Sequence, residues 1–338
     1  MRMTTLRDPI RVGNVELKNR LVLPPVCIDK AVNGEVNDII VNHYDMMTRT
    51  GCIGLVIMEH CYVLQNGKAS EGQISVSRDS DIEGLRRVVD VVHRNGSKIF
   101  CQINHCGSSG DPKITGSPLM GPSSALNLSP GAKTRLHPEP MNMDQMDEVK
   151  AAFTTAAVRV KMAGFDGVEI HAAHGYLLNE FYSPLTNKRN DLYTGKNIMG
   201  RLRFIREIIQ SVRTAVGPEF CISIRFGACD YKQGGSMDAE AIRACDVFIR
   251  AGVNLLDISG GMCGFVNPMN RQPGYFSDMT ETIKANVGVP VVLTGGIRTP
   301  EFANQMLAEY KADLIGVART QIKNPNGAAM AMQSGLIH

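Results

Sequence analysis

The chain has 338 residues, 20% of them charged and 43% apolar, with 33 glycines and 16 prolines. That mix describes an ordered globular protein and excludes disordered, collagen-like and coiled-coil chains. A net charge of +3 is too small to argue for nucleic acid or a membrane surface, so small-molecule chemistry is the default.

In chain order, residues 10–17 alternate apolar and polar side chains about Gly13-Asn14, the pattern of a hairpin that would cap the bottom of a barrel. Short β-branched runs follow at 20–23, 54–58, 98–103, 167–170, 221–225, 255–259, 289–294 and 313–317. In the second half each run alternates with helical periodicity. Residues 144–164 carry Val149, Phe153, Ala156, Ala157 and Val160 on one stripe and stop at Gly164, and 201–216 repeat the arrangement before Gly217-Pro218. Eight runs predict an α/β chain folded as one (β/α)8 TIM barrel, with residues 1–338 as a single domain. A doubly wound sheet shares the alternation, but neither G-x-G-x-x-G after a strand nor G-x-x-x-x-G-K-[ST] occurs. Between the third strand and its helix, residues 104–143 carry six prolines and many Gly and Ser. Structureless loops of that length in compact domains are functional, so this one is read as a lid over the barrel mouth.

No apolar run reaches the ~18–20 residues of a membrane span, and the N-terminus leads into Arg7-Asp8 instead of an apolar signal core. A cytoplasmic protein is expected, without membrane or nucleic-acid partners and as a homo-oligomer. The nine cysteines are odd in number and none has C-x-x-C spacing, so they read as reduced, mostly buried small hydrophobes.

The chemistry concentrates in 168–181. Residues leaving the C-terminal end of a barrel strand build the active site, and here His171, His174 and Tyr176 leave one strand within six positions. Two neutral imidazoles can donate to one substrate oxygen, and a phenol with an ordinary pKa near ~10 is a proton donor. Together they make an oxyanion holder plus an acid. The alternatives are a pair of ordinary hydrogen-bonded histidines or a zinc half-site. Zinc needs a third ligand, no second cluster of matching spacing supplies one, and no metal is expected.

His171-Ala172-Ala173-His174-Gly175-Tyr176, followed by Ser183-Pro184-Leu185-Thr186-Asn187-Lys188-Arg189-Asn190-Asp191-Leu192-Tyr193, resembles the signature of the old yellow enzyme family, and the likeness runs from Asn19-Arg20 to Arg319. That family comprises FMN-dependent ene reductases on a (β/α)8 barrel. The resemblance implies FMN as cofactor, NADH or NADPH as reductant and a small-molecule alkene as acceptor, in two half-reactions. It places Pro24, Pro25 and Val26 against the flavin ring, and Cys27 matches the cysteine of the bacterial branch that tunes the flavin. His60 falls after the second strand where the family has a flavin-contacting residue, commonly Ala. Gln102 matches the amide that bonds the flavin pyrimidine, and Arg225 the cation near its N1/O2 edge. The phosphate is expected at Gly295 and Gly296 after the seventh strand and at Ala318 and Arg319 after the eighth. His171 and His174 would hold the acceptor oxygen, and Tyr176 would supply the proton.

Four departures stand out. Asp29 replaces an aromatic and would put a carboxylate where a substrate-stacking ring is expected. Ser108 stands for an arginine, Thr194 for a glycine and Gly200 for an asparagine. No arginine lies beyond Arg319, so an arginine donated from the C-terminus to a neighbour's site is not expected. The alternatives within the superfamily are 2,4-dienoyl-CoA reductases and amine dehydrogenases, whose iron–sulfur cysteine spacing is missing and whose further domains the chain would lack by ending soon after its eighth strand. Outside it stand a zinc barrel hydrolase and a non-catalytic flavin sensor.

Overall fold

We describe the chain from a computed structural model that covers residues 3–327 and residue 332. The N-terminal alternation closes as a hairpin: β1 (Ile10–Val12) and β2 (Val15–Leu17) pair antiparallel, with Val12 opposite Val15. Eight parallel strands then form a closed barrel in chain order. They are β3 (Leu21–Leu23), β4 (Leu55–Tyr62) and β5 (Lys98–Asn104), then, past the short β6 (Met120–Gly121) and β7 (Glu139–Pro140) outside the barrel, β8 (Gly167–Ala172), β9 (Cys221–Cys229), β10 (Leu255–Gly260), β11 (Val291–Thr294) and β12 (Leu314–Gly316). The connecting helices are α1 (Asp38–Thr48), α2 (Asp81–Arg94), the single turn α3 (Pro112–Thr115), α4 (Met143–Met162), α5 (Leu177–Tyr182), α6 (Ile198–Val216), α7 (Asp238–Ala251), α8 (Ser277–Lys284), α9 (Pro300–Ala308) and α10 (Arg319–Lys323). The expected (β/α)8 barrel is the architecture observed. No helix among the described residues is long and apolar enough to cross a membrane.

Local chemistry sets the helix starts. Asn142 Oδ1 accepts the Gln145 N–H at 2.9 Å while Gln145 Oε1 accepts the Asn142 N–H at 2.9 Å, a reciprocal cap that opens α4. Asn197 caps α6 at Ile198, three residues before the apolar stripe begins.

Alternation along each strand sends every second side chain inside the barrel. At the bottom, Val22, Leu55, Ile57, Phe100, Cys221, Leu255, Val292 and Leu314 pack together, plugged by Val12, Val15 and Leu17 of the hairpin. Two residues further along, the interior turns polar with Gln102, Glu169, Ser223 and Asp257, all buried. Another two residues bring His171, Arg225 and Ser259 to the mouth.

Two strands outrun their apolar patterns. β4 continues to Tyr62 through a register shift between Met58 and Cys61, and β9 continues to Cys229. Polar side chains at Glu59 and His60 interrupt the apolar run, but the backbone goes on pairing with β5.

The 104–143 segment is more ordered than a bare loop: it holds α3 and the β6–β7 ladder. Asn127 Nδ2 and Ser109 Oγ both donate to Gly175 O, at 2.7 and 2.8 Å, and Arg189 Nη1 reaches Pro122 O and Met141 O at 3.1 and 2.7 Å. The Ser183–Tyr193 motif therefore fastens the lid. A Cβ at Gly175 would fall 2.3 Å from Ser129 Oγ, and its φ of +78° is a left-handed value, so glycine is required there twice over.

The departures from the family pattern have structural explanations. Thr194 and Gly200 lie against each other, and a Cβ at Gly200 would meet Thr194 O at 2.4 Å and Thr194 Cγ2 at 2.6 Å, so the backbone of residue 194 itself leaves room only for glycine at 200. Ser108 donates its N–H at 2.9 Å and its hydroxyl to the buried Glu180. Burial lifts the Glu180 carboxyl from 4.5 to about 8. An acid raised on folding contributes stability below its unfolded pKa and loses it as pH climbs through the folded one. Stability should fall between pH 4.5 and about 8, and the upper part of that window lies above the range of ordinary carboxylates. Thermal melts of Glu180→Gln should show a shallower fall, and an unchanged slope would mean that Glu180 contributes nothing to it.

Candidate active site

A cavity of about 930 Å³ opens at the C-terminal ends of the barrel strands, within the size range of small-molecule sites. Pro24, Pro25, Val26 and Cys27 line it after β3, His60 from β4, Gln102 from β5, Arg225 from β9, and Gly295, Gly296, Ala318 and Arg319 after β11 and β12. His171, His174 and Tyr176 form one wall as the chain leaves β8. The expected cofactor set and the His/His/Tyr set thus share one space. Asp29 does not join them. It is exposed, sits at a left-handed φ of +55° and accepts the Ser70 hydroxyl at 2.5 Å, and it is not among the residues that line the cavity, where the sequence led one to expect it.

The rings pack edge to face, His171 lying 5.1 Å from His174 and 4.9 Å from Tyr176 between centroids. His171 Nδ1 accepts the Ala173 N–H at 3.3 Å, so its proton is on Nε2. His174 Nε2 meets Ser259 Oγ at 2.7 Å; in the tautomer that has the hydroxyl as donor, the imidazole proton is on Nδ1. His174 has a left-handed φ of +61°, uncommon outside glycine and a form of strain that concentrates at functional sites. Burial lowers both imidazoles well below 6.5, with the neighbouring histidines and Arg225 adding to the effect. Burial also raises the Tyr176 phenol above its ordinary value. The wall therefore presents two neutral imidazoles and a protonated phenol.

Under it lies a charged layer. Glu169 accepts Gln102 Nε2 and Ser223 Oγ, each at 2.8 Å, and Arg225 Nε faces Asp257 Oδ2 at 3.5 Å. Burial, with the charge of Asp257, lifts Glu169 to about 8; burial raises Asp257 too, and Arg225 opposes that rise. On the other side, Glu59 Oε2 accepts the Ile28 N–H at 3.0 Å beneath the Pro24–Cys27 turn, and burial brings Glu59 to about 7.

Sequence reasoning missed Ser259, Glu59 and Asp257, and also Gln73, whose amide binds His60 Nδ1 at 2.6 Å. It missed further lining residues: Pro130 and Gly131 from the lid, Phe265 and Tyr275 after β10, and Arg298 and Lys323 beside the glycine loops. The two cations sit close to glycines already singled out and were the readable ones.

The NADH:flavin oxidoreductase / NADH oxidase family profile matches residues 5–336. The chain belongs to that family. Curated relatives include a metal reductase of Desulforamulus reducens, 36% identical over 333 residues that cover 98% of this chain and 49% of that protein. An NADPH dehydrogenase of Clostridium acetobutylicum is 34% identical over 321 residues, 93% of this chain and 90% of that one. This family member therefore spans about half the length of the first relative and most of the second. Among solved structures, the old yellow enzyme homologue of Zymomonas mobilis superposes with a TM-score of 0.85 at 26% identity, over 99% of this chain and 94% of its own. FMN is the family's cofactor, with NADH or NADPH as reductant.

The cavity's residues suit FMN. Gln102 commits an amide N–H to Glu169, so its carbonyl oxygen remains to accept the pyrimidine N–H. Arg298, Arg319 and Lys323 line the cavity beside the Thr294–Gly296 and Gly316–Arg319 loops, matching a phosphate dianion. Thr294 Oγ1 is buried and meets no hydrogen-bond partner among the described residues. A Cβ at Gly316 would lie 2.0 Å from that oxygen. Gly316→Ala should therefore displace the phosphate loops and cost about 1–3 kcal/mol as overpacking does. Purified variant protein should carry less FMN than the parent; full FMN content with an unchanged melt would contradict this packing.

Proposed function

We propose that the protein reduces activated C=C bonds, as in enones and nitroalkenes, with NADH or NADPH by ping-pong hydride transfer through FMN. The observation that carries this reading is the wall of two neutral imidazoles and a protonated phenol lining the cavity that suits the flavin. Bound FMN supplies the hydride, gained from the nicotinamide and delivered to the β-carbon of the alkene. His171 and His174 donate to the acceptor's carbonyl or nitro oxygen, which withdraws electron density from that carbon and stabilises the developing negative charge. Their depressed pKa values keep them neutral, so they polarise by hydrogen bonding without delivering a proton to the oxygen. Tyr176 keeps its proton until the α-carbon becomes basic and donates it there. Pro130 and Gly131 of the lid cover the cavity and limit water. The nicotinamide uses the same pocket as the acceptor, in keeping with a sequence that has no dinucleotide fingerprint.

Tyr176→Phe separates the half-reactions. Nicotinamide oxidation requires no proton from Tyr176 and should change little in rapid mixing, whereas reduction of weakly activated enones should slow by about 10²–10⁴-fold. Nitroalkenes should suffer less, because their nitronate can leave and take its proton from water. Equal slowing of both halves would make the ring structural and remove the assignment.

A further inference from the structure

A third imidazole faces the same cavity, and its tautomer is set by the fold. His60 lies where the β4 register shifts between Met58 and Cys61, an irregularity of the kind that re-aims side chains beside active sites. Gln73 Nε2 donates to His60 Nδ1 at 2.6 Å and to His60 O at 3.1 Å, while Gln73 Oε1 accepts the Ala69 N–H at 2.6 Å. That last bond fixes which end of the amide faces the ring. A nitrogen that accepts carries no proton, so the neutral His60 ring has its proton on Nε2. The ring stands 6.2 Å from His171 and 5.6 Å from Tyr176 between centroids. Burial holds it neutral, at about 4; Arg225 and Lys133 act in the same direction and Asp29 against it.

A carbonyl oxygen offers two lone pairs, and the proposed function fills both with His171 and His174. A third N–H donor on that side of the pocket needs another acceptor atom. We propose that His60 is a specificity-determining residue that donates from Nε2 to a second oxygen of the acceptor, so that the pocket favours unsaturated compounds carrying two oxygen functions. This inference rests on the proposed function, because it takes His171 and His174 as the holders of the first oxygen.

The test uses FMN-loaded protein and four inhibitors: phenol and the ortho, meta and para hydroxybenzaldehydes, with Kd read from the change in flavin absorbance. In His60→Ala, at least one hydroxybenzaldehyde should bind about tenfold more weakly, the loss of one hydrogen bond, while phenol stays within about twofold. Gln73→Leu, which frees the tautomer, should shift the same isomer in the same direction, and it carries the test if His60→Ala does not fold. His60→Gln, which keeps an N–H donor, should recover part of the loss. Equal weakening of all four probes, no weakening of any, or lost FMN affinity with unchanged probe binding at saturating FMN would each overturn the assignment. His171→Ala separates the two claims. If it weakens every probe while His60→Ala weakens none, only the role of His60 fails; if it weakens none, the proposed function fails and this inference with it.

Discussion

Closing eight parallel strands into a barrel obliges every second side chain to point at the axis, and the interior is too narrow to hold water and side chains together. Everything else in this molecule is arranged around that constraint. The lower interior is filled with aliphatic and aromatic groups and sealed by the hairpin, so it is a packed core and not a channel. Toward the mouth the same inward positions turn polar in the order Gln102, Glu169, Ser223 and Asp257, then His171, Arg225 and Ser259. Each polar side chain stands on a strand paired with its neighbours, which gives the site a rigid floor.

Charge in such an interior must be balanced locally, because desolvating an isolated ion is costly. Arg225 faces Asp257, and Glu169 is lifted toward its neutral form while it accepts from Gln102 and Ser223. The arrangement keeps a cation at the barrel mouth without leaving two carboxylates ionised beneath it. It also orients Gln102, whose carbonyl oxygen becomes the free end of the amide. The wall above is neutral, so in the proposed function an oxygen held there would be polarised by directed N–H groups more than by net charge.

The strands were legible because strands buried on both faces read as continuous β-branched runs. The end of β4 was not, because Glu59 and His60 broke its apolar pattern without ending the strand. The His/His/Tyr wall was legible because a single strand exit bears all three side chains. The groups that orient them come from elsewhere in the chain. Ser259 is 85 residues from His174 and Gln73 is 13 from His60, and no local periodicity links either pair. Asp29 shows the opposite limit, since its position in the sequence suggested the pocket and one left-handed turn sends its carboxylate to Ser70. The glycine at 200 likewise became intelligible only when the backbone oxygen of Thr194 was seen against it.

The central claim is that His171 on β8 and His174 just past its end present two neutral N–H donors to one oxygen beside the flavin. A crystal structure of the FMN-loaded protein with phenol bound tests it most directly. The account predicts the phenol oxygen within about 2.6–3.2 Å of a ring nitrogen of both His171 and His174, with the phenol ring over the flavin. A phenol oxygen bound to neither histidine would contradict it.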